Sequence, residues 1–155
     1  MAEHEYTARV AWTGNLGQAN RSYRGYARTW EVQTPGKPVI ACSNDPLLGG
    51  DPGLHNPEDM LIAALSACHM LWYLHLAFDA GVVVEAYADD PVAVGESLPS
   101  GAGRFLSATL RPTITLGPGA DRAAADAIHG RIHEVCFIAR SVNFPVRYEA
   151  TYLAA

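Results

Sequence analysis

The sequence contains little charge, and almost none of it is lysine. Asp, Glu, Lys and Arg together make up 17% of the 155 residues, below the roughly 25% of an average soluble domain. Lys37 is the single lysine, and the arginines are scattered along the chain. With a net charge of −5 and no basic stripe, the chain is not expected to bind nucleic acid or an anionic membrane. A monomer so poor in charge would expose much apolar surface, so we expect a second copy to cover part of it.

Cysteine is also scarce. The chain has three cysteines, Cys42, Cys68 and Cys136, and an odd number cannot all pair within one chain. The polar residues 1–6 do not resemble a signal peptide. We therefore expect a cytoplasmic protein whose cysteines are buried, catalytic or metal-bound, because the cytoplasm is reducing and structural disulfides are rare there.

Several common functional motifs are missing. The chain has no Gly-x-Gly-x-x-Gly or Gly-Lys-Ser/Thr for nucleotide phosphates and no Gly-x-Ser-x-Gly of serine hydrolases. His129, His133 and Cys136 do follow the helical spacing i, i+4, i+7, which can hold zinc, with Cys68 or His69 as a conceivable fourth ligand. No Cys-x-x-Cys accompanies them, so we expect no metal and keep a zinc-bound structural protein as an alternative.

The clearest predicted element is a long apolar helix from Pro57 to Ala80. Asn56 suits the N-cap, proline suits the first helical position, and Gly81 suits the C-terminal stop. Residues 60–78 form a run of 19 without a charge, which by length could span a membrane. Histidines within the run and the lack of basic anchors beside it argue against a membrane. A helix that is apolar all round must be covered on every side, which a dimer core achieves.

The rest of the chain predicts strands and one further helix. Predicted strands are Tyr6–Trp12, Ser22–Val32, Pro38–Cys42, Val82–Tyr87, Phe105–Leu116 and Phe144–Leu153, with loops at 44–55 and 89–103. Pro112 indicates an edge strand or a bulge. A second helix is predicted from Asp121 to about Val135. Because the strands are grouped around two helices and do not alternate as βαβ, the predicted class is α+β with largely antiparallel sheets, in a single domain of residues 1–155.

Cys68 lies in the middle of the apolar helix. On a helix its neighbours include Leu65, Leu71 and Trp72. One interpretation is a small buried hydrophobic residue, since a thiol buried alone has a raised pKa and is inert. The other is a reactive thiol, which requires a cation close by.

Three segments carry a resemblance to a known family. Residues 56–69 read NPEDMLIAALSACH, residues 136–146 read CFIARSVNFPV, and residues 22–28 read SYRGYAR. Over nearly the whole chain the sequence resembles the OsmC/Ohr superfamily, in particular its OsmC-like branch. The resemblance implies an intertwined homodimer with antiparallel sheets around two central helices. It also implies a thiol-dependent peroxidase that reduces organic hydroperoxides, without a cofactor, at active sites on the subunit interface.

The resemblance also implies the roles of individual residues. Cys68 would be the peroxidatic nucleophile and Cys136 the resolving cysteine, and an external dithiol would reduce the disulfide between them. Glu58 would orient a catalytic arginine. Relatives usually have asparagine at the position of Arg140, which leaves the charge around the resolving thiol open.

The catalytic arginine has three candidates, Arg21, Arg24 and Arg28. Strand alternation would place Arg24, Tyr26, Arg28 and Trp30 on one face, and we favour Arg28. Arginine suits the role because it keeps its charge at any working pH.

Glu58 and Cys68 are expected to lie far apart along the predicted helix. Ten residues span about 15 Å along a straight helix, more than one arginine is expected to bridge. We infer that the two residues of one site come from different subunits, or that the helix breaks between them.

The substrate and the rival functions follow from the surroundings of Cys68. Leu65, Leu71 and Trp72 are the predicted substrate-binding residues and favour a hydroperoxide with an alkyl or aryl tail. The main alternative to an enzyme is a non-enzymatic module that binds an apolar ligand or senses oxidants.

Overall fold

A computed structural model describes residues 1–154 of the chain. These residues form two compact units, one ending at Met60 and the other beginning at Leu61. The expectation of a single domain stays a prediction. The α+β class is confirmed, with three α-helices, two short 3-10 helices and nine strands among the described residues.

The N-terminal unit contains a small antiparallel sheet. Its strands are β1 (Val10–Trp12), β2 (Trp30–Val32) and β3 (Ile40–Cys42), in the order β1-β2-β3. The indole N–H of Trp30 donates to the carbonyl of Ser43 over 2.9 Å, which fixes the end of β3.

The predicted strands in this unit were too long, above all the strand over 22–32. Residues 14–28 form a loop that folds back on β1, where Gly14 and Ala27 pair through a backbone hydrogen bond of 2.9 Å. A Cβ on Gly14 would lie 1.8 Å from the Ala27 carbonyl oxygen, so this approach requires glycine. Arg24 and Arg28 lie outside any strand, and the alternation argument that placed them on one strand face was wrong.

Helix α1 (Pro57–Asp79) matches the predicted helix to within one residue. Its start is a capping box. The side chain of Asn56 accepts from the Asp59 N–H over 2.8 Å, and Asp59 accepts from the Asn56 N–H over 3.2 Å. Its end is set by Gly81, which has φ +70 and donates to the Phe78 carbonyl.

One face of α1 is buried and another is exposed. Leu65, His69 and Tyr73 face the interior at successive turns, whereas Leu71 and Phe78 are 62% and 81% exposed. By length and composition α1 could cross a membrane, but the core helix of a soluble protein passes the same test. Only 28% of its most apolar window is buried within the chain.

The C-terminal unit contains two three-stranded sheets, ordered β4-β7-β9 and β5-β6-β8. The strands are β4 (Val84–Asp89), β5 (Val92–Ser97), β6 (Gly103–Leu110), β7 (Pro112–Leu116), β8 (Val146–Tyr148) and β9 (Thr151–Ala154). The pairs β4–β7 and β5–β6 are antiparallel, as predicted. The pairs β6–β8 and β7–β9 are parallel, so four of the six strand pairs are antiparallel and the sheets are largely antiparallel, as predicted.

Two predicted strands each divide into two. The strand over 105–116 breaks at Arg111, whose backbone N–H donates to the Asp89 carboxylate over 2.6 Å. Pro112 then begins β7, the central strand of its sheet; it marks neither an edge nor a bulge. The first residue of a strand tolerates proline because the missing N–H is not needed there. The strand over 144–153 breaks at 149–150, which lets β8 and β9 join different sheets.

Strand β5 lies within residues 89–103, which were predicted to form a loop. The prolines and glycines of that segment favoured a loop, but the strand pairs with β6 through a bulge at Val94 and Gly95.

The second predicted helix also differs, because it divides into α2 (Arg122–Ala127) and α3 (His129–Val135). Asp121 caps α2 as predicted, and Ile128 between the two helices keeps helical dihedral angles. The core of this unit lies between α1, α2, α3 and the two sheets.

Candidate active site

The two predicted redox cysteines lie side by side. The thiol of Cys136 donates to the sulfur of Cys68 with an Sγ–Sγ distance of 2.8 Å, and both thiols are free. The two residues are 68 positions apart in sequence. A disulfide bond has an S–S distance of about 2.05 Å, so only a small movement separates this pair from a covalent bond.

Different elements position the two sulfurs. Cys68 lies in the middle of α1 and is half-buried. Cys136 follows α3 as its C-cap, with extended dihedral angles and its own N–H donating to Ile132 over 2.8 Å. The chain turns there, and the backbone N–H of Ala139 points back to the Cys136 sulfur over 3.4 Å.

The environment of Cys136 keeps its proton in place. The residue is fully buried. Burial, followed by the hydrogen bond to Cys68, raises the pKa of the Cys136 thiol to about 11, and the Ala139 N–H offsets only part of that rise. At neutral pH the thiol of Cys136 is therefore a hydrogen-bond donor to the Cys68 sulfur.

Arg28 is held rigidly within the N-terminal unit. Its guanidinium donates to the backbone carbonyls of Tyr23 over 2.7 Å and Tyr26 over 3.1 Å. It also lies over both tyrosine rings, 4.4 Å from each centroid. Arg21 and Arg24 are exposed, whereas Arg28 is half-buried and held by these contacts.

Glu58 lies in the exposed first turn of α1. Within residues 1–154 its carboxylate forms no ion pair with Arg28 or any other residue. Helix α1 is unbroken from Pro57 to Asp79, so the alternative that the helix breaks between Glu58 and Cys68 was wrong.

The three predicted substrate-binding residues line two different depressions of the surface. Leu65 is 1% exposed and lines a cleft of the C-terminal unit. Leu71 and Trp72 line a shallow depression on the other side of α1, together with His75. Their role in substrate binding stays a prediction.

The histidines do not form the predicted set of His129, His133 and Cys136. His129 pairs with His69, with 2.8 Å between Nδ1 of His129 and Nε2 of His69, and not with Cys136. Among the described residues no group of three His, Cys, Asp or Glu side chains could hold a metal ion. Both histidines were predicted as possible zinc ligands, and the available signal for the pair was their position on apolar helix faces.

The buried histidine pair is neutral. Burial lowers the pKa of His69 to about 4, against a smaller opposite effect of the Asp89 charge. Burial and then His69 lower the pKa of His129 to about 4 as well. One ring of the pair must donate and the other accept.

The fold and the thiol pair together define a mixed α+β protein with two adjacent free cysteines, one within α1 and the other directly after α3. A family model described as OsmC-like protein matches residues 50–150, which is well over half of the chain. The chain belongs to the OsmC-like protein family. None of the curated proteins matches the sequence significantly.

Solved structures share the fold over nearly the full length. An OsmC-like protein of unknown function from Vibrio cholerae is 28% identical with a TM-score of 0.85, covering 96% of this chain and 99% of its own. An organic hydroperoxide resistance protein from Elizabethkingia anophelis is 18% identical with a TM-score of 0.68, covering 99% and 100%. An organic hydroperoxide resistance protein OsmC from Legionella pneumophila is 20% identical with a TM-score of 0.66, covering 97% and 98%.

Proposed function

We propose that the protein is a thiol-dependent peroxidase that reduces organic hydroperoxides. The observation that carries the proposal is the distance of 2.8 Å between the free Cys68 and Cys136 sulfurs. The names of the Elizabethkingia and Legionella relatives, which refer to organic hydroperoxide resistance, agree with it. Three free cysteines in the chain also agree with the proposed cytoplasmic location.

In the first step the Cys68 thiolate attacks the terminal oxygen of the hydroperoxide. The O–O bond breaks, the terminal hydroxyl passes to sulfur as a sulfenic acid, and the alkoxide takes a proton from solvent to leave as an alcohol. Cys68 is the attacking sulfur of the pair because it is half-buried, whereas Cys136 is fully buried and keeps its proton.

In the second step Cys136 resolves the sulfenic acid. Its sulfur attacks the Cys68 sulfur, the S–O bond breaks, and the thiol proton leaves with the hydroxyl group as water. The raised pKa of Cys136 is compatible with this step, because the departing hydroxyl can accept the proton that the thiol retains. An external dithiol then reduces the Cys68–Cys136 disulfide by exchange, and is itself oxidised to a disulfide.

A second subunit would complete the site. Glu58 and Cys68 lie ten residues apart on an unbroken helix, about 15 Å along its axis. In the proposed homodimer, the carboxylate and the Arg28 cation beside Cys68 come from the partner subunit. The guanidinium of Arg28 is already held over two tyrosine rings. It can therefore stabilise a thiolate without first losing side-chain conformational freedom.

The exposed face of α1 fits such a dimer. Leu71, Leu74 and Phe78 are separated by three and four residues and are 62%, 39% and 81% exposed. Spacing of this kind forms the apolar seam of paired helices. Ala64 and Ala67 continue the same stripe toward the start of α1 and are also exposed.

A peroxide-consumption assay tests the proposed activity. Reduced protein is mixed with cumene hydroperoxide and dithiothreitol, and the loss of peroxide is followed for the wild type and for Cys68→Ser. Catalysis that depends on Cys68 supports the enzyme. Equal slow consumption by both proteins would leave the alternative of a non-enzymatic binding or sensing module.

A further inference from the structure

Two tyrosines of the N-terminal unit form an aromatic cage around Arg28, which we define as the side chains and carbonyls of Tyr23 and Tyr26. The guanidinium carbon lies 4.4 Å from the centroid of each ring. The same guanidinium donates to the backbone carbonyl of Tyr23 over 2.7 Å and to that of Tyr26 over 3.1 Å. Each tyrosine therefore holds the cation twice, through an aromatic face and through a carbonyl oxygen.

The aromatic cage is supported by Trp12 in β1. The Trp12 ring meets the Tyr26 ring edge-on, with centroids 5.8 Å apart and an interplanar angle of 83°. Its indole N–H donates to the carbonyl of Ala27 over 2.9 Å. The carbonyl of Arg28 accepts from the backbone N–H of Asn44 over 3.0 Å. The backbone that carries the cation is therefore held from both sides.

The aromatic cage holds Arg28 without neutralising it. Carbonyl oxygens and aromatic faces carry no net charge, and among residues 1–154 no carboxylate forms an ion pair with this guanidinium. A guanidinium has five N–H donors. The two carbonyls use two of them, so three remain for a further acceptor. A carboxylate partner would cancel much of the field of the cation at a thiolate, which the neutral aromatic cage does not do.

We propose that Tyr23 and Tyr26 are positioning residues of the peroxidase and act on the Cys68 thiolate only through Arg28. This inference rests on the proposed function, in which Arg28 is the cation beside Cys68. A mobile arginine side chain must lose conformational freedom before it can meet a thiolate. The aromatic cage imposes that loss beforehand, so removal of a ring lowers the fraction of Arg28 side chains in the productive conformation.

Single substitutions of the two tyrosines test the proposal. Tyr23→Leu and Tyr26→Leu each remove one ring and keep the backbone carbonyls. The rate at which iodoacetamide alkylates Cys68 is followed against pH in the reduced full-length protein. We expect each leucine variant to react about threefold more slowly at pH 7, with an unchanged plateau at high pH where the thiol is fully ionised. Tyr23→Phe and Tyr26→Phe keep the rings and should restore the wild-type profile. Wild-type profiles in both leucine variants would overturn the proposal.

Arg28→Met separates positioning from a general effect on the fold. If the rings act only through the guanidinium, Tyr23→Leu has no further effect when it is added to Arg28→Met. The same threefold loss in both backgrounds would contradict the proposal. A wild-type rate in Arg28→Met alone would instead refute Arg28 as the cation of the proposed function.

Cys42 reports on the integrity of the N-terminal unit in these variants. It is fully buried in β3, so it should stay unalkylated wherever the unit remains folded. Tyr23 is 73% exposed, so Tyr23→Leu removes little packing. If Tyr26→Leu exposes Cys42 to the reagent, Tyr23→Leu alone decides: a rate equal to that of the wild type refutes the positioning role, and a threefold loss that Tyr23→Phe restores supports it.

Discussion

The sulfurs of Cys68 and Cys136 lie 2.8 Å apart, with the buried thiol of Cys136 donating to Cys68. This asymmetry agrees with the proposed roles, with Cys68 as the attacking sulfur and Cys136 as the resolving one. Cys136 is fully buried and holds its proton, whereas Cys68 is only half-buried and accepts that donor. The more accessible sulfur is therefore the one placed to meet a substrate.

Removal of the proposed resolving thiol, Cys136, should stop the reaction at the sulfenic acid. In Cys136→Ser we expect one equivalent of hydroperoxide to give a Cys68 sulfenic acid, because no sulfur remains in contact with it. Mass spectrometry after trapping with dimedone detects the adduct. An intrachain disulfide between Cys68 and Cys42 in this variant would instead assign the resolving role to Cys42.

Loss of the proposed catalytic cation should slow alkylation of Cys68. In Arg28→Met we expect the rate of reaction with iodoacetamide at pH 7 to fall about tenfold, because a neighbouring guanidinium favours the thiolate. The measurement follows the rate against pH by peptide mass spectrometry. Arg24→Met and Arg21→Met are the matched controls, and a larger effect in either of them would move the role away from Arg28.

Mixing two inactive variants tests whether a site is shared between subunits. Glu58→Ala and Cys68→Ser are combined, unfolded and refolded together. If Glu58 and Cys68 of one site come from different chains, each heterodimer has one intact site, so about a quarter of the wild-type activity returns. Activity no greater than that of the separate variants would place both residues in one chain.

The apolar stripe on α1 should be needed for association. Phe78→Glu and Leu71→Glu place a charge on side chains that are 81% and 62% exposed in the single chain. We expect both to give monomers by sedimentation velocity, because a charge buried without a partner is strongly disfavoured. Leu98→Glu is the control, since Leu98 is 52% exposed but lies in the β5–β6 turn. A monomeric wild type would refute the dimer outright.

Acid should destabilise the protein through the histidine pair. Both folded pKa values are lowered from 6.5 to about 4, so between these values the unfolded chain binds more protons than the folded one. The free energy of unfolding therefore decreases as the pH falls from 6.5 to 4, by an amount of the order of a few kcal/mol. Urea unfolding at several pH values measures it. His69→Leu should flatten the profile, whereas His133→Ala should leave it unchanged because His133 is exposed.

Much of the helical structure could be read from local sequence. The cap at Asn56 and the stop at Gly81 fixed α1 to within one residue, because these signals act through adjacent backbone groups. Strand limits were less accurate. Strand β5 was missed because its pairing with β6 outweighs the local preference of Gly95, and nothing local marks the parallel pairing of β8 and β9.

The candidate site was predictable to different degrees. The cysteine pair was expected from two motifs, and the structure brings their sulfurs together. The contact between His69 and His129 was not, because it joins residues 60 positions apart that share no motif. The surroundings of Arg28 also depend on a loop whose shape local alternation does not determine.

Peptide mapping after a single equivalent of cumene hydroperoxide tests the central claim most directly. Reduced wild-type protein is treated, remaining thiols are alkylated, and the digest is analysed without reduction. We predict one Cys68–Cys136 disulfide per chain, one equivalent of cumyl alcohol, and an alkylated Cys42. Recovery of unreacted peroxide with both Cys68 and Cys136 alkylated would contradict the account.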